Sequence, residues 1–144
     1  MSVVLLVVML LLIAVNGFFV ATEFALVRSR RTRLEQLRDE GNRTAPLALD
    51  MIDHVDEYVA TSQVGITLAS LGIGFLGEPA LAELLEPLFG GFMSHALALA
   101  ISIAIAFTIV TFLHVILGEQ SPKMLAIARA EPVLLRIEIG RAHV

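Results

Sequence analysis

Two carboxylates stand in or beside strongly apolar sequence: Glu23, within N-G-F-F-V-A-T-E-F-A-L-V, and Glu119, directly after the uncharged stretch 87–118. A carboxylate at membrane depth should face protein or water, because lipid exposure is costly. The chemistry such groups could serve is cation binding. A hard ion such as Mg2+ takes about six oxygens near 2.1 Å and gives up water reluctantly. Inside a membrane it would need carboxylates joined by hydroxyl, amide and carbonyl oxygens from several helices. The chain offers Asn16, Thr22 and Glu23, then Gln63, Thr67 and Ser70, then Thr108, Thr111 and Glu119. Plainer uses compete. Membrane Ser and Thr often bond to the carbonyl four residues back. Glu23 could pair with Arg28 or Arg30, and Glu119 with Lys123, four residues on. Pro122 lacks the N–H that would bond to the Gly118 carbonyl, so that oxygen is expected to face a cation or water.

Other chemistries find little support. There is no H-E-x-x-H, G-x-S-x-G or P-loop, and the G-I-G at residues 72–74 lacks a third glycine. The four histidines, His54, His95, His114 and His143, fall at unrelated depths, and with no Cys there is no thiolate site. Asp50, Asp53, His54 and Glu57 share a helical face that could hold a divalent ion or be simply solvated. The chain is therefore not expected to be an enzyme, to hold a resident cofactor, or to bind nucleic acid.

The elements that must position these groups follow from composition. Of the 144 residues 57% are hydrophobic and only 17% charged, well below the roughly 25% charged of soluble domains. Charge is absent from residues 1–22, 58–77 and 87–118, and a helix needs about 20 such residues to cross a bilayer. The spacing predicts an all-α membrane protein with spans at about 3–27, 58–77 and 93–118. The first block lacks a basic start and runs directly into arginines, so it reads as a retained span rather than a signal peptide. Residues 30–40 and 45–57 predict two short amphipathic helices, with Thr44 as N-cap and Pro46 in the first turn. Such a hairpin would lie on the membrane surface or against the bundle. Span two carries small and polar residues at packing spacing, including Gly65, Ala69 and Gly72, which predicts a central helix, its glycines serving either unwound ends or plain tight packing. A short helix from Glu78-Pro79 would rest at the outer interface.

All ten Lys and Arg lie at residues 28–43 and 123–141, whereas the connection between spans two and three carries only Glu78, Glu83 and Glu86. The positive-inside bias puts the N-terminus and the acidic connection outside, and both basic clusters in the cytoplasm. The small and polar faces of three helices call for protein cover, which predicts a homodimer in the lipid bilayer.

Three strings then stand together in order: N-G-F-F-V-A-T-E-F-A-L-V-R-S-R-R-T-R-L-E-Q-L, D-E-Y-V-A-T-S-Q-V-G-I-T-L-A-S-L-G-I-G-F-L-G-E-P and F-L-H-V-I-L-G-E-Q-S-P-K-M-L-A. They resemble the CNNM-type transmembrane domain of the CorC/HlyC (hemolysin-like) membrane proteins over residues 3 to about 137, with G-E-x-x-P-K the most specific element. The resemblance implies three membrane helices, a cytoplasmic hairpin, a homodimer, and placement in the bacterial inner membrane. It also implies a link to magnesium and cobalt resistance or efflux, with some members described as Na+-coupled Mg2+ exporters. Carried over by position, the implied site comprises Asn16, Thr22, Glu23, Gly65, Ser70 and Glu119. Exporters of that kind tend to have serine where Asn16 and Val20 stand, and asparagine near Gly65. A juxtamembrane helix is expected at about 122–137. Family members continue into CBS domains that bind adenine nucleotides. The alternative function is a regulatory or scaffolding domain that anchors such modules without moving ions. I-G-R-A-H-V reads as translated sequencing adapter, so residues 138–144 are expected to be a non-native tail.

Overall fold

The protein is described here by a computed structural model, covering the backbone of residues 1–142 and side chains through residue 137. The expected tail at 138–144 has its side chains outside the described residues. The described chain is all helix and turn, in eight α-helices: α1 (Ser2–Arg28), α2 (Arg31–Asp39), α3 (Ala45–Asp53), α4 (Val55–Gly72), α5 (Glu78–Phe89), α6 (His95–Leu113), α7 (Ser121–Ala128) and α8 (Ala130–Ala142). Two π-helical turns, Ile73–Gly77 and His114–Gln120, join α4 to α5 and α6 to α7 without a break. Three continuous helical paths are long and apolar enough to cross a membrane: Ser2–Arg28, Val55–Phe89 and His95–Ala128.

Two of those paths exceed the expected spans. The helix expected to lie apart from Glu78 onward is a continuation of span two, and it packs along α6. Pro79 falls in the first turn of α5, where its missing N–H is not needed, and the π-turn before it accommodates an extra residue without unwinding. The expected unwound ends are thus π-turns. Likewise, residues 121–128 extend span three, and the expected juxtamembrane helix begins only at Ala130, after the backbone turns at Arg129 (φ −138°, ψ 53°).

The centre of the bundle is α1, not span two. The first helix buries Met9, Ile13, Asn16, Gly17, Val20, Thr22, Ala25 and Leu26. By contrast α4 buries only Ser62 and Ala69, and leaves Val64, Leu68 and Leu71 more than half exposed. The small residues of α4 are used against α1. A Cβ on Gly65 would come within 2.6 Å of the Phe19 ring, so glycine is what allows that close approach.

At the basic end, a second apolar cluster docks the helical hairpin against the bundle. Leu34 from α2 and Ala48, Leu49 and Met51 from α3 pack with Ala25 and Leu26 of α1, Ala126 of α7 and Leu134 of α8. Arg31 ties the hairpin together, pairing with Glu35 at 3.0 Å and also with Asp53. The start of α3 is capped differently from expectation. Thr44 makes no side-chain cap; Asn42 Oδ1 instead accepts from the Thr44 and Ala45 N–H groups at 3.0 and 3.3 Å. The longer reach of asparagine satisfies two helix-start donors at once.

Candidate functional site

Asn16 is fully buried at the middle of α1. Its Nδ2 donates to the Gly118 carbonyl at 2.9 Å, and its Oδ1 accepts from Ser70 Oγ at 3.3 Å. Ser70 Oγ lies 3.2 Å from His114 Nε2, which in turn stands 3.6 Å from Glu119 Oε1. One polar chain thus crosses all three membrane paths. With the proton on His114 Nε2, donors run in one direction from His114 through Ser70 and Asn16 to the Gly118 carbonyl. The chain also runs from closed to open: Asn16 is 0% exposed, the His114 side chain 16% and the Glu119 side chain 42%.

Local sequence explains this convergence. His114, Gly118 and Glu119 share the π-turn His114–Gln120, whose wider winding redirects side chains that an α-helix would space differently. Pro122 has no N–H to offer the Gly118 carbonyl, and that carbonyl accepts the Asn16 amide N–H. Gly118 keeps this corner close-packed: a Cβ there would lie 3.0 Å from the His114 ring and 3.2 Å from Asn16 Nδ2, so one of those side chains would have to give by a few tenths of an ångström.

The other expected site residues lie elsewhere. Glu23, two turns along α1 from Asn16, accepts a long hydrogen bond from Gln63 Nε2 at 3.4 Å, and among the described residues it forms no ion pair with Arg28 or Arg30. Those arginines lie beyond the end of the apolar run, and Gln63 across the α1–α4 contact is nearer. Thr22 donates to its own helix at the Phe18 carbonyl, 2.8 Å away. Gly65 packs on Phe19, and Thr67 and Thr108 bond to carbonyls four residues back at 2.9 and 2.8 Å. Lys123 does not pair with Glu119; its Nζ sits 4.8 Å above the Phe24 ring, a cation–π contact. Of the six expected site residues, Asn16, Ser70 and Glu119 come together, while Thr22, Glu23 and Gly65 do not join them. His114 is a member of this chain that spacing alone does not single out, although Thr111 and His114 stand one helical turn apart in an otherwise apolar span. Among the described residues, no three His, Asp or Glu side chains gather as a metal cluster, so any ion here would rely on amide, hydroxyl and carbonyl oxygens too.

Ser70 also borders a cavity of about 780 Å3 between the span-two path and α6. Its walls are mainly apolar, but Glu78, Glu83 and Glu86 line it toward the acidic end. That end is pinned by two contacts: Ser2 Oγ donates to Glu83 Oε2 at 2.6 Å, and His95 Nδ1 lies 2.8 Å from Glu86 Oε1.

These features define a multi-pass helical membrane domain of three spans, with a polar chain through its middle and a docked helical hairpin. The chain belongs to the family described as Cyclin M transmembrane N-terminal domain, which it matches over residues 6–138. It is 51% identical to the UPF0053 protein YhdT of Bacillus subtilis over 88% of its own length and 28% of that protein. It is 46% identical to the UPF0053 protein YhdP of the same organism, over 92% of this chain and 30% of the relative. To the Mycobacterium tuberculosis protein Rv1841c it is 37% identical, covering 94% and 41%. The chain therefore spans well under half the length of these relatives. The family is one of membrane domains rather than enzymes.

Proposed function

We propose that this is the membrane domain of a divalent-cation transporter or efflux protein, with Asn16, Ser70, His114 and Glu119 as the cation site. The observation that carries the reading is the convergence of these four side chains from three membrane paths. Neighbouring ligands around a small octahedral ion stand about 3 Å apart, and the successive separations here are 3.3, 3.2 and 3.6 Å. Small side-chain shifts would bring them onto one ion, with Glu119 supplying the negative charge. Glu23 and Gln63 form a second polar station on the way to the basic end. The cavity beside Ser70 gives the site a route toward the acidic end.

The ions fitting this donor set are Mg2+ and Co2+. Oxygen ligands suit the first, whereas the imidazole of His114, with its proton on Nδ1 and Nε2 free to ligate, favours the second. Na+ as a coupling ion follows from the family resemblance. The domain works as a homodimer in the bacterial inner membrane, N-terminus outside and C-terminus cytoplasmic. The exposed Gln63 and Thr67 support the dimer, being polar groups that lipid would not cover well. Adenine nucleotide would bind only to CBS domains outside this segment.

A second reading, a scaffold that anchors cytoplasmic modules without moving ions, draws support from Thr22 and Gly65, which serve internal bonding and packing. Flux of Mg2+, Co2+ and Na+ into proteoliposomes separates the two. Flux that depends on Glu119 supports transport, and its absence under every gradient supports the scaffold.

A further inference from the structure

Six arginines lie between the end of α1 and the start of α3, and five of them, all but Arg43, divide into two kinds. Arg31 and Arg38 are neutralised within the hairpin, by Glu35 and Asp53 and by Asp39. Arg28, Arg30 and Arg33 instead line a cavity of about 440 Å3, together with Thr32, Ile127 and Glu131. Among the described residues none of these three guanidinium groups has a carboxylate within 4 Å. Arg33 Nη1 donates only to Gln36 Oε1 at 3.3 Å, and Glu131 Oε1 accepts from the backbone N–H of Arg30 at 3.4 Å. Three positive charges against the one negative charge of Glu131 leave +2 at the cavity wall.

Like charges gathered around a cavity repel one another unless an anion sits among them. A phosphate suits the space, since guanidinium forks pair with its oxygens in a planar, two-bond geometry and Thr32 adds a hydroxyl donor. The position says where that phosphate comes from. Arg28 is the last residue of the apolar helix α1, its neighbour Val27 is 67% exposed, and Ile127 lies on the last turn of the third membrane path. This is headgroup depth, where phospholipid phosphates are already concentrated and acyl chains can lie along the exposed apolar residues.

We propose that the cavity binds the phosphate of an anionic phospholipid from the adjoining leaflet. The headgroup would bridge the end of α1 and the start of α2 to the joint between α7 and α8, where Ala128, Ala130 and Glu131 form the opposite wall. Bound lipid thereby clamps α8 to the membrane domain. The site lies away from the Asn16–Glu119 chain and does not depend on the transport reading.

The test is native mass spectrometry of the protein from phosphatidylglycerol and phosphatidylcholine nanodiscs, comparing wild type, Arg28→Gln/Arg33→Gln and Arg38→Gln. Wild type and Arg38→Gln should retain phosphatidylglycerol in preference to phosphatidylcholine, and the double variant should bind it about tenfold more weakly. Equal retention by the double variant, or equal loss in Arg38→Gln, would overturn the site in favour of diffuse surface attraction. Protection of the native arginines from phenylglyoxal supplies a readout that needs no variant. Phosphatidylglycerol should shield Arg28, Arg30 and Arg33 but not Arg38, and shielding of none of the three would overturn the proposal. Inorganic phosphate added to phosphatidylcholine nanodiscs should shield them weakly. Full shielding by phosphate alone would overturn the lipid as the source.

Discussion

Glu119 and Glu23 are the same residue type, each set near the basic end of an apolar helix, yet the fold treats them differently. Glu119 ends a chain of four side chains drawn from three membrane paths, whereas Glu23 touches one partner, Gln63, through one long bond. The difference comes from the backbone around each. Glu119 sits in a π-turn behind a glycine whose carbonyl Asn16 holds, with His114 brought alongside. Glu23 sits in uninterrupted α-helix facing a single neighbour. Depth and charge make a carboxylate available; a locally rewound helix brings it into a chain of polar contacts.

The largest expected effect is on flux. Glu119→Gln should lower divalent-cation flux in proteoliposomes about tenfold or more, as loss of a charged ligand implies. Glu23→Gln should lower it only a few-fold, as a residue on the path rather than in the site. Equal losses would erase the distinction between the two carboxylates, and near-normal flux in Glu119→Gln would remove the proposed site's principal ligand.

Selectivity sharpens the same contrast. His114→Gln replaces a nitrogen donor with an amide, so the ratio of Co2+ to Mg2+ flux should fall several-fold. Gln63→Glu, beside Glu23, should leave that ratio unchanged. A ratio insensitive to His114 would take the imidazole out of the coordination shell.

Stability offers a measurement independent of transport. Asn16→Leu strands the Gly118 carbonyl in the bundle interior and leaves the Ser70 hydroxyl with His114 as its remaining partner. Thermal unfolding in detergent should show a loss of about 1–2 kcal/mol, at the upper end for polar contacts between membrane helices. Gln63→Leu removes one exposed, long bond and should cost about 0.5 kcal/mol or less. A reversed order would mean that the Glu23 station, not the Asn16 chain, holds the spans together.

The smallest effect lies outside both carboxylate regions. His54, at the joint of α3 and α4, has its pKa raised, first by the hydrogen bond from its ring to the Asp50 carbonyl and then by the Asp50 charge. A raised folded value favours the protonated form. Its contribution is therefore fully present below the unfolded value of about 6.5 and fades as pH rises through the folded value. Amide protection at residues 50–57, taken relative to the intrinsic exchange rate at each pH, should fall slightly across that window in wild type and not in His54→Gln. Cation flux that changes over the same window in His54→Gln as in wild type would have to be traced to the membrane groups instead.

Much of this architecture was legible in the sequence. Charge-free stretches of span length set the number of membrane paths, because burying charge in hydrocarbon is costly whatever the fold. The three strings carried the family, and Asn16, Ser70 and Glu119 were each recognisable as polar groups in apolar surroundings. Pro122, with no N–H, even marked the Gly118 carbonyl. What filled that carbonyl was a matter of tertiary structure, since only the approach of α1 brought Asn16 to it. His114 gained a role only when the π-turn set it beside Ser70, a spacing that a regular helical repeat does not express. The same approach placed α1 at the centre and gave the glycines of α4 to Phe19 and its neighbours. Sequence determines which groups are costly to leave in lipid; which of them meet depends on where the helices cross and where their winding changes.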